Sequence, residues 1–472
     1  MALSLSVCAA APTDDSVAMG YPRPCEVAVI GAGAAGLVAG RELLREGHKV
    51  VVFEKGESVG GTWVYSPSVE SDQLGLDPCR KIVHSSLYQS LRVNIPRECM
   101  GFFDYPFVPR PSNKERDSRR FPQHREVLLY LQDFAREFEL KGLVRFGTEV
   151  FDVHLLDEGR WMVRSRKVRM GGCDDAVADE SEVFDAIVVC NGHFTEPRIA
   201  EIPGIEVWPG KQIHSHNYRV PEPFQDQVVV LIGSSVSAFD ISRDICAFAK
   251  EVHLLSRSAP DKQLMSKQPG YDNVWLHSMI ERAHADGTVA FRDGSSVRAD
   301  IILHCTGYKY DFPFLKVNDI VTVDDNCVGP LYKHIFPPLL APWLSFIGLP
   351  WRVILFPLCE MQSKWVACVL SGRLALPSQE EMMMDVEDFH SKLDAAGLPK
   401  HYTHNMSDYQ FDYVDKLATV CGHPAVEEWR KQMLDMTMKN KGSHPDSYRD
   451  EWDDHSLVLQ AYEDFHRYCK SL

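Results

Sequence analysis

The stretch Val27-Ala-Val-Ile-Gly-Ala-Gly-Ala-Ala-Gly36 joins an apolar run to three glycines at the G-x-G-x-x-G spacing. A helical pattern follows over residues 37–46, and a second apolar run ends at Glu54. Strand, glycine turn, helix and strand in this order are typical of a βαβ unit with a dinucleotide-binding turn. The sequence therefore predicts an α/β fold built around this unit.

The three glycines have different roles in such a turn. Gly31 permits the tight bend, Gly33 lets the backbone approach a pyrophosphate, and Gly36 lets the helix pack closely on the strand. The helix N-terminus supplies N–H groups and a positive dipole to the phosphates. Glu54 is placed to accept hydrogen bonds from a ribose. We therefore predict a dinucleotide site at this turn.

A second unit of the same kind lies further along the chain. Its apolar run is Val228–Ile232, and a helical pattern and a strand-type run at 252–255 follow the turn. Gly233, Ser235 and Ala238 occupy the three glycine positions of that turn. Alanine is accepted at the third position, and a serine hydroxyl can donate to phosphate. The chain is therefore predicted to contain two dinucleotide-binding units.

The two units differ in the residue that follows the second strand. Gly31 and Glu54 are 23 positions apart, and Gly233 and Ser256 have the same separation. Where the first unit has an acid, the second has Ser256 followed by Arg257, a pair that suits a 2′-phosphate. The second nucleotide is therefore predicted to be NADP rather than NAD.

The composition limits the classes of function. With 472 residues the chain can form two or three domains, and 45% hydrophobic and 25% charged residues are ordinary globular values. The formal net charge of −16 argues against nucleic acid or an anionic membrane as a partner. We therefore expect a small-molecule ligand.

No stretch predicts membrane insertion, because the most apolar candidate, 353–370, is interrupted by Pro357, Glu360 and Lys364. Residues 1–22 are expected to form a flexible tail, with organelle targeting as the alternative. The 13 cysteines are scattered without C-x-x-C spacing, which indicates thiols in a reducing compartment and argues against a zinc ribbon or a redox-active disulfide. We expect a cytoplasmic protein.

Hydrophobic spacing predicts further elements along the chain. Helices are predicted at 125–140, 239–249, 362–373 and 378–393 and in the C-terminal region, and strands at 144–153, 160–168, 184–190 and 301–305. Irregular segments are predicted at 111–120, 170–180, 299–300 and 334–351.

The segment Trp208-Pro-Gly-Lys-Gln-Ile-His-Ser-His-Asn-Tyr218 lies between the two units. It resembles the pattern F-x-G-x-x-x-H-x-x-x-(F/Y) that identifies the flavin-containing monooxygenases, which are class B flavoprotein monooxygenases. Gly210, His214 and Tyr218 match the pattern, and a tryptophan keeps an aromatic ring at the first position. Cys305-Thr-Gly-Tyr308 is similar to the terminal strand motif of the same family.

The resemblance extends from Val27 to about Leu393, and phrases such as Cys190-Asn-Gly-His-Phe194 are similar to the plant branch that S-oxygenates sulfides. That branch includes the glucosinolate S-oxygenases and the garlic-type S-alkenylcysteine S-oxygenase. It implies two Rossmann-like domains, the FAD domain being discontinuous and the NADPH domain inserted into it. The implied segments are a tail at 1–22, FAD-binding parts at 23–210 and 305–472, the second with a helical C-terminal region, and an NADPH-binding part at 211–304.

The resemblance also implies where the two cofactors bind. The FAD residues implied by the first turn, the double-glycine loop and the strand at 144–153 are Gly31, Ala32, Gly33, Ala34, Ala35, Gly36, Glu54, Lys55, Gly61, Thr62, Trp63 and Val150. The NADPH residues implied by the second turn are Gly233, Ser234, Ser235, Val236, Ser237, Ala238, Ser256 and Arg257.

The implied activity is NADPH- and O₂-dependent oxygenation of a thioether to a sulfoxide through a C4a-hydroperoxyflavin. Asn94 matches the asparagine that lies beside the flavin in this family, and it would be the catalytic residue by hydrogen-bonding near the peroxide. The implied partners are O₂ and a small thioether or amine. The sequence does not define which substrate is used, the stereochemistry of the product or the oligomeric state.

Other functions stay open at this point. The same cofactors serve N-oxygenation of amines, Baeyer–Villiger oxidation and an auxin-forming branch. An NADPH-dependent disulfide reductase would need a cysteine pair that the spacing lacks, and a non-enzymatic nucleotide-binding protein would have the turns without the chemistry. His193, His214 and His216 are irregularly spaced without a carboxylate pair, so we predict no metal site and interpret them as structural or cofactor-shell histidines.

Overall fold

The computed structural model describes residues 24–110, 114–168, 179–259 and 266–468. The predicted N-terminal tail and most of the predicted loop 170–180 lie outside these residues. The strands, in chain order, are β1 (Glu26–Ile30), β2 (Lys49–Phe53), β3 (Val144–Arg145), β4 (Thr148–Leu155), β5 (Trp161–Lys167), β6 (Glu180–Phe184), β7 (Ala186–Val189), β8 (Glu196–Pro197), β9 (Lys211–His214), β10 (Val228–Ile232), β11 (Glu251–Leu255), β12 (Ser266–Lys267), β13 (Val274–His277), β14 (Ile280–Ala283), β15 (Thr288–Phe291), β16 (Ser296–Arg298), β17 (Ile301–His304), β18 (Tyr308–Lys309), β19 (Leu315–Lys316), β20 (Thr322–Asp324), β21 (Cys327–Gly329) and β22 (Leu344–Phe346). The α-helices are α1 (Ala34–Arg45), α2 (Arg97–Met100), α3 (His124–Glu137), α4 (Val236–Ile245), α5 (Leu355–Leu370), α6 (Gln379–Ala395), α7 (Gln410–Val420), α8 (Glu428–Ser443) and α9 (His455–Phe465).

The chain divides into two compact units. Unit 1 comprises the described residues of Met1–Gly61, Val93–Gly192 and Tyr310–Leu472, and unit 2 those of Thr62–Arg92 and His193–Lys309. The segment Thr62–Arg92 thus belongs with the second glycine turn, although the chain on either side of it belongs to unit 1. Which nucleotide each unit binds stays a prediction at this point.

Unit 1 contains a five-stranded parallel sheet in the order β22-β7-β1-β2-β3. The central strand β1 is almost wholly apolar and buried, as a strand with neighbours on both sides requires. Helix α1 crosses between β1 and β2 and packs against α5. The predicted βαβ unit is therefore confirmed, with α1 beginning three residues before the predicted start.

A second sheet of unit 1 packs its apolar side chains into the same core. Strands β4, β5 and β6 are antiparallel, and β19 adds to β4 in parallel. Trp161 and Val153 of this sheet are fully buried in one cluster with Phe53 and Val189 of the parallel sheet. Burial of each such side chain stabilises the fold by about 1.5–3 kcal/mol, so the strands that end at the first glycine turn rest on a rigid base.

Unit 2 repeats the same local topology. Its six-stranded sheet has the order β12-β13-β11-β10-β17-β9, and only β12 runs antiparallel to its neighbour. Ile232 pairs with Leu255 in this sheet as Ile30 pairs with Phe53 in the first, so the offset between paired strands is 23 residues in both. The second predicted βαβ unit is confirmed.

Two predicted elements are wrong because tertiary pairing outweighs local pattern. The run 184–190, predicted as one strand, is divided at Asp185 into β6 and β7, which belong to different sheets. The segment 334–351, predicted as irregular, contains β22, which pairs with β7 at the edge of the parallel sheet. Strand β22 has only three residues and lies between Pro342 and Pro350, so its hydrophobic pattern is too short to indicate a strand.

Helix α5 begins at Leu355, seven residues before its predicted start. Pro357, which interrupts the apolar run 353–370, lies in the first turn of α5, where an N–H has no intrahelical acceptor to lose. Glu360, wholly buried in α5, accepts from Arg41 of α1 at 3.1 Å and from Lys364 at 2.8 Å. No helix formed by the described residues is long and apolar enough to cross a membrane.

Candidate functional site

The first glycine turn joins the end of β1 to the start of α1. Gly31 has a φ of +103°, and its N–H donates to the carbonyl oxygen of Phe53 at 2.8 Å. A Cβ on Gly31 would lie 2.6 Å from the carbonyl oxygen of Cys190, and a Cβ on Gly36 would lie 1.8 Å from the carbonyl oxygen of Gly31. Any side chain at these two positions would therefore displace backbone, which explains the glycines.

Glu54 stabilises the same turn from the end of β2. Its Oε2 accepts from the N–H of Ala32 at 2.8 Å, and its Oε1 accepts from the N–H of Gly56 at 2.7 Å. Each carboxylate oxygen can accept two hydrogen bonds, so both keep one lone pair for a further donor. Glu54 thus shapes the glycine turn and can still accept from ribose hydroxyls.

The double-glycine loop lies directly over the turn. The N–H of Gly60 donates to the carbonyl oxygen of Ala32 at 3.0 Å, and a Cβ on Gly61 would lie 2.9 Å from the Cα of Gly33. No side chain caps the N-terminus of α1 at Gly33, so the N–H groups of Ala34 and the next residues are open to an anion. This cradle fits the pyrophosphate of FAD.

The other predicted FAD residues differ in burial and in their hydrogen-bond partners, and their roles in binding FAD stay predictions. The ammonium of Lys55 pairs with Glu149 at 2.6 Å. The side chain of Val150 is buried in the unit 1 core, which leaves its backbone for a cofactor contact. Thr62 lies 3.5 Å from Ser86, Oγ1 to Oγ, and Trp63 is half-buried in the same short 3₁₀ turn.

Gly348, which the sequence analysis missed, lies beside Ala35 in the first turn of α1. A Cβ on Gly348, which has a φ of +83°, would lie 3.6 Å from the Cβ of Ala35. The side chain of Gln362 joins Gly348 to Tyr413, because its Oε1 accepts from the N–H of Gly348 and its Nε2 donates to the Tyr413 hydroxyl, both at 2.9 Å. The Tyr413 hydroxyl in turn donates to the carbonyl oxygen of Lys333 at 2.7 Å. No local motif marks these residues, because they meet only after folding.

We expect Gln362→Leu to weaken FAD binding roughly tenfold. The variant leaves the Gly348 N–H without its acceptor and removes the bond that the Tyr413 hydroxyl accepts, at a cost of about 1–3 kcal/mol. Flavin fluorescence during titration of the apoprotein measures the affinity. Gln432→Leu is the control, since Gln432 is exposed on α8 and its side chain donates to Glu428 of the same helix. Equal FAD affinity in the two variants would contradict the role of Gln362.

The second glycine turn, between β10 and α4, has the geometry of the first. Gly233 has a φ of +119°, and a Cβ there would lie 2.6 Å from the carbonyl oxygen of Cys305. Ala238 is fully buried at the third position. Ser235 begins α4 without a side-chain cap, which leaves the N–H groups of Val236 and the next residues open. This arrangement fits a second pyrophosphate.

The residues predicted to bind the 2′-phosphate follow β11. Ser256 is buried, and its Oγ lies 2.9 Å from the Oγ of Ser234 and 2.8 Å from the Oγ of Ser258. Arg257 is exposed beside it. Ser237 lies in the first turn of α4. The second unit thus brings its predicted hydroxyl and guanidinium groups to the carboxyl end of the sheet, where nucleotides bind in such folds.

A cysteine lies behind each turn. Cys190 and Cys305 follow equivalent strands, and their carbonyl oxygens face Gly31 and Gly233. Burial raises the pKa of both thiols, that of Cys305 to about 12. Both therefore stay protonated at neutral pH and do not act as nucleophiles.

Asn94 is half-buried just before α2. The residue before it is fixed on both sides, because the N–H of Val93 donates to the carbonyl oxygen of Pro122 at 3.0 Å and its carbonyl oxygen accepts from Nε of Arg449 at 3.0 Å. Pro96 then begins α2. The backbone around Asn94 is thus held in place, and its catalytic role stays a prediction.

His193, His214 and His216, which are predicted to be structural or cofactor-shell residues, contact other protein groups. His193 packs against the ring of Phe194, and burial lowers the pKa of His214 to about 3. The neutral His214 accepts at Nδ1 from the backbone N–H of His216 at 3.0 Å. Among residues 24–110, 114–168, 179–259 and 266–468, no group of histidine, cysteine and acidic side chains is arranged to hold a metal ion.

Comparison with known proteins places this geometry in a family. The flavin-binding monooxygenase-like family model matches residues 25–277 and 271–428. The chain is 58% identical to flavin-containing monooxygenase FMO GS-OX-like 3 of Arabidopsis thaliana over 458 residues, which cover 96% of this chain and 99% of that protein. It is 59% identical to FMO GS-OX5 of the same plant over 442 residues, 93% of this chain and 94% of that protein.

A solved structure agrees over nearly the whole fold. The S-allyl-L-cysteine S-oxygenase from Allium sativum superposes with a TM-score of 0.90 at 59% identity, covering 95% of this chain and 100% of that chain. The fold and the two glycine turns thus define a flavin-dependent monooxygenase that uses FAD and NADPH. The chain belongs to the flavin-binding monooxygenase-like family.

Proposed function

We propose that this enzyme S-oxygenates a small thioether: thioether, O₂, NADPH and a proton give sulfoxide, water and NADP⁺. The observation that carries the proposal is the similarity over almost the full chain to the garlic S-oxygenase, a protein that acts on S-allyl-L-cysteine. The relatives from Arabidopsis are named flavin-containing monooxygenases FMO GS-OX, and the plant branch that the sequence resembles S-oxygenates sulfides. A thioether sulfur is a soft nucleophile, so the substrate needs no acid or base to activate it.

In this proposal the first turn holds FAD. The N–H groups of Gly33, Ala34 and Ala35 bind the pyrophosphate, the loop at Gly60 and Gly61 covers it, and Glu54 orients the ribose. FAD supplies the activation of O₂ when bound, and NADPH supplies the reducing hydride. The protein contributes orientation and the exclusion of water around the reacting atoms.

The second turn holds NADPH in the same proposal. The N–H groups at the start of α4 bind its pyrophosphate, and Ser256 and Arg257 bind the 2′-phosphate. The proposed FAD-binding parts are 23–210 and 305–472, with the NADPH-binding part 211–304 inserted. The compact unit that contains the second turn comprises Thr62–Arg92 and His193–Lys309.

We expect Arg257→Ala to raise KM for NADPH by about 10- to 100-fold while KM for NADH stays nearly unchanged, because only NADPH carries the 2′-phosphate. Loss of a charge-assisted hydrogen bond costs about 1.5–3 kcal/mol. Steady-state NADPH and NADH oxidation measure the two constants. Arg292→Ala, at another described arginine in the same unit, is the control. An equal rise in both KM values would contradict the assignment.

Asn94 is the proposed catalytic residue. Its side-chain amide has two N–H donors, which can hold an oxygen atom beside the flavin by a hydrogen bond without adding a charge. The remaining partners are O₂ and the small substrate, and the net charge of −16 disfavours nucleic acid. We also propose action in the reducing cytoplasm, which the scattered cysteines favour.

The experiment that tests the proposal is NADPH oxidation by the purified yellow holoenzyme with a panel of cysteine conjugates, glucosinolates, methionine derivatives, amines and ketones, with products identified by mass spectrometry. We expect sulfoxides from one class of thioether. N-oxides alone, or esters from ketones, would replace S-oxygenation by another reaction on the same cofactors. A colourless protein without NADPH oxidation would contradict enzymatic function.

A further inference from the structure

The family pattern Trp208–Tyr218 includes none of the predicted cofactor residues, yet its last residues form an extensive hydrogen-bond network in unit 2. The network holds the segment Thr62–Arg92, which after the short turn at Trp63 contains no helix or strand. Long segments of this kind in a compact fold are usually functional.

Arg219, directly after the pattern, is buried against backbone carbonyl groups of the segment. Its Nε donates to the carbonyl oxygens of Ser66 at 2.8 Å and Ser68 at 3.1 Å, and its Nη2 donates to that of Ser85 at 2.9 Å. Its Nη1 donates to the carbonyl oxygen of His216 at 2.6 Å. Burial lowers the pKa of this guanidinium, and no carboxylate is hydrogen-bonded to it in the described residues. The side chain of Arg219 thus joins both halves of the segment to the part of unit 2 that contains the family pattern.

His216 and Asn217 bind the middle of the segment. Nε2 of His216 donates to Oε1 of Glu70 at 3.1 Å, with both side chains wholly buried. Burial opposes ionisation of Glu70, but the hydrogen bonds from His216, Val83 and Arg80 outweigh it and lower its pKa. The amide of Asn217 accepts from the N–H of Glu70 at 2.8 Å and donates to the carbonyl oxygen of Gln73 at 3.1 Å.

The end of the segment is bound to α4, the helix that begins at the second glycine turn. Oδ2 of Asp244 accepts from the Ser90 hydroxyl at 2.7 Å and from the Tyr218 hydroxyl at 2.5 Å. The Tyr88 hydroxyl donates to Asp240, one helical turn earlier, at 3.3 Å. The proposed NADPH helix is therefore hydrogen-bonded to a residue four positions before Asn94.

The segment Thr62–Arg92 connects the proposed FAD cradle to Asn94 along the chain. Gly61, of the proposed FAD cradle, directly precedes the segment, and Asn94 comes two residues after its end. We propose that Arg219 and Asp244 are positioning residues, a role that rests on the proposed function. They hold the segment that leads to Asn94, and together with the hydrogen bonds of Val93 to Pro122 and Arg449 they fix Asn94. When the segment loosens, NADPH, O₂ and a proton still give NADP⁺, but the oxygen leaves as H₂O₂ instead of entering the thioether.

The test compares Arg219→Gln with Arg116→Gln, a control at an arginine whose side chain is 7% exposed and pairs with Glu126 and Asp133 in unit 1. We expect Arg219→Gln to retain FAD and NADPH oxidation and to release several-fold more H₂O₂ per NADPH. Trypsin should also cut faster after the exposed Lys81. The control should change neither the coupling nor this cleavage.

Asp244→Ala provides a second variant if Arg219→Gln does not fold, with Asp388→Ala on the surface of α6 as its control. Faster cleavage after Lys81 with full coupling would show a purely structural role and overturn the inference. If Asn94→Ala uncouples the enzyme while both positioning variants stay coupled, the inference fails alone. If the wild-type enzyme forms no oxygenated product, the proposed function fails first.

Discussion

Asn94→Ala is expected to lower sulfoxide formation by about 10- to 100-fold while NADPH oxidation continues, since removal of one preorganised hydrogen-bond donor in an active site has effects of this order. FAD should remain bound, because the hydrogen bonds that shape the cradle at Gly31–Gly36 and Glu54 are made by other residues than Asn94. The oxygen that no longer reaches the substrate should appear as H₂O₂. Parallel measurement of NADPH, sulfoxide and H₂O₂ gives the coupling.

Asn440→Ala is the control for this experiment. Asn440 is also half-buried, and its side-chain amide donates to the carbonyl oxygen of Glu451 in the helical C-terminal region. It should leave coupling unchanged. A coupled product yield equal to that of the wild type in Asn94→Ala would refute the catalytic role.

Gly31→Ala and Gly233→Ala are expected to separate the two cofactor sites. Each new Cβ would lie 2.6 Å from a carbonyl oxygen, that of Cys190 or Cys305, on backbone with a φ of +103° or +119°. Strain of this kind costs on the order of 1–3 kcal/mol, and it should be nearly equal in the two variants. We expect Gly31→Ala to be purified without flavin, and Gly233→Ala to stay yellow with a KM for NADPH raised by at least about tenfold.

The backbone around Gly31 and that around Gly233 have nearly the same geometry, so each variant is the control for the other. Gly142→Ala adds a neutral reference, since a Cβ there meets no atom within 4 Å. Flavin absorbance relative to protein, with thermal unfolding to compare the folds, provides the measurement. Equal loss of flavin in both variants would argue against one cofactor per turn.

The sequence predicted the parts of the site that are local in the chain. Both glycine turns, the acid at Glu54 and the serine and arginine after β11 could be recognised because each βαβ unit is continuous and its strands pair with an offset fixed by the helix between them. The equal offset of 23 residues seen in the sequence is the register offset of the paired strands. The predicted helix 378–393 is confirmed as α6, whose capping box at Ser378 and Glu381 is also local.

The parts that the sequence did not predict depend on contacts between distant segments. Gln362 was recognisable only as a helical residue, yet it bridges the Gly348 turn and Tyr413 within unit 1. The segment Thr62–Arg92 has no periodic pattern, so its placement beside Arg219 could not be derived from spacing. Long-range hydrogen bonds and edge-strand pairing have no signature in a single sequence window.

The most direct test of the central claim is the fate of isotopically heavy O₂ during turnover with NADPH and S-allyl-L-cysteine or another thioether that the screen selects. The account predicts a sulfoxide that carries one heavy oxygen atom for each NADPH oxidised, and a flavin spectrum that is bleached by NADPH and restored by O₂. Sulfoxide whose oxygen comes from water, or NADPH oxidation that yields only H₂O₂ with every thioether tested, would contradict it.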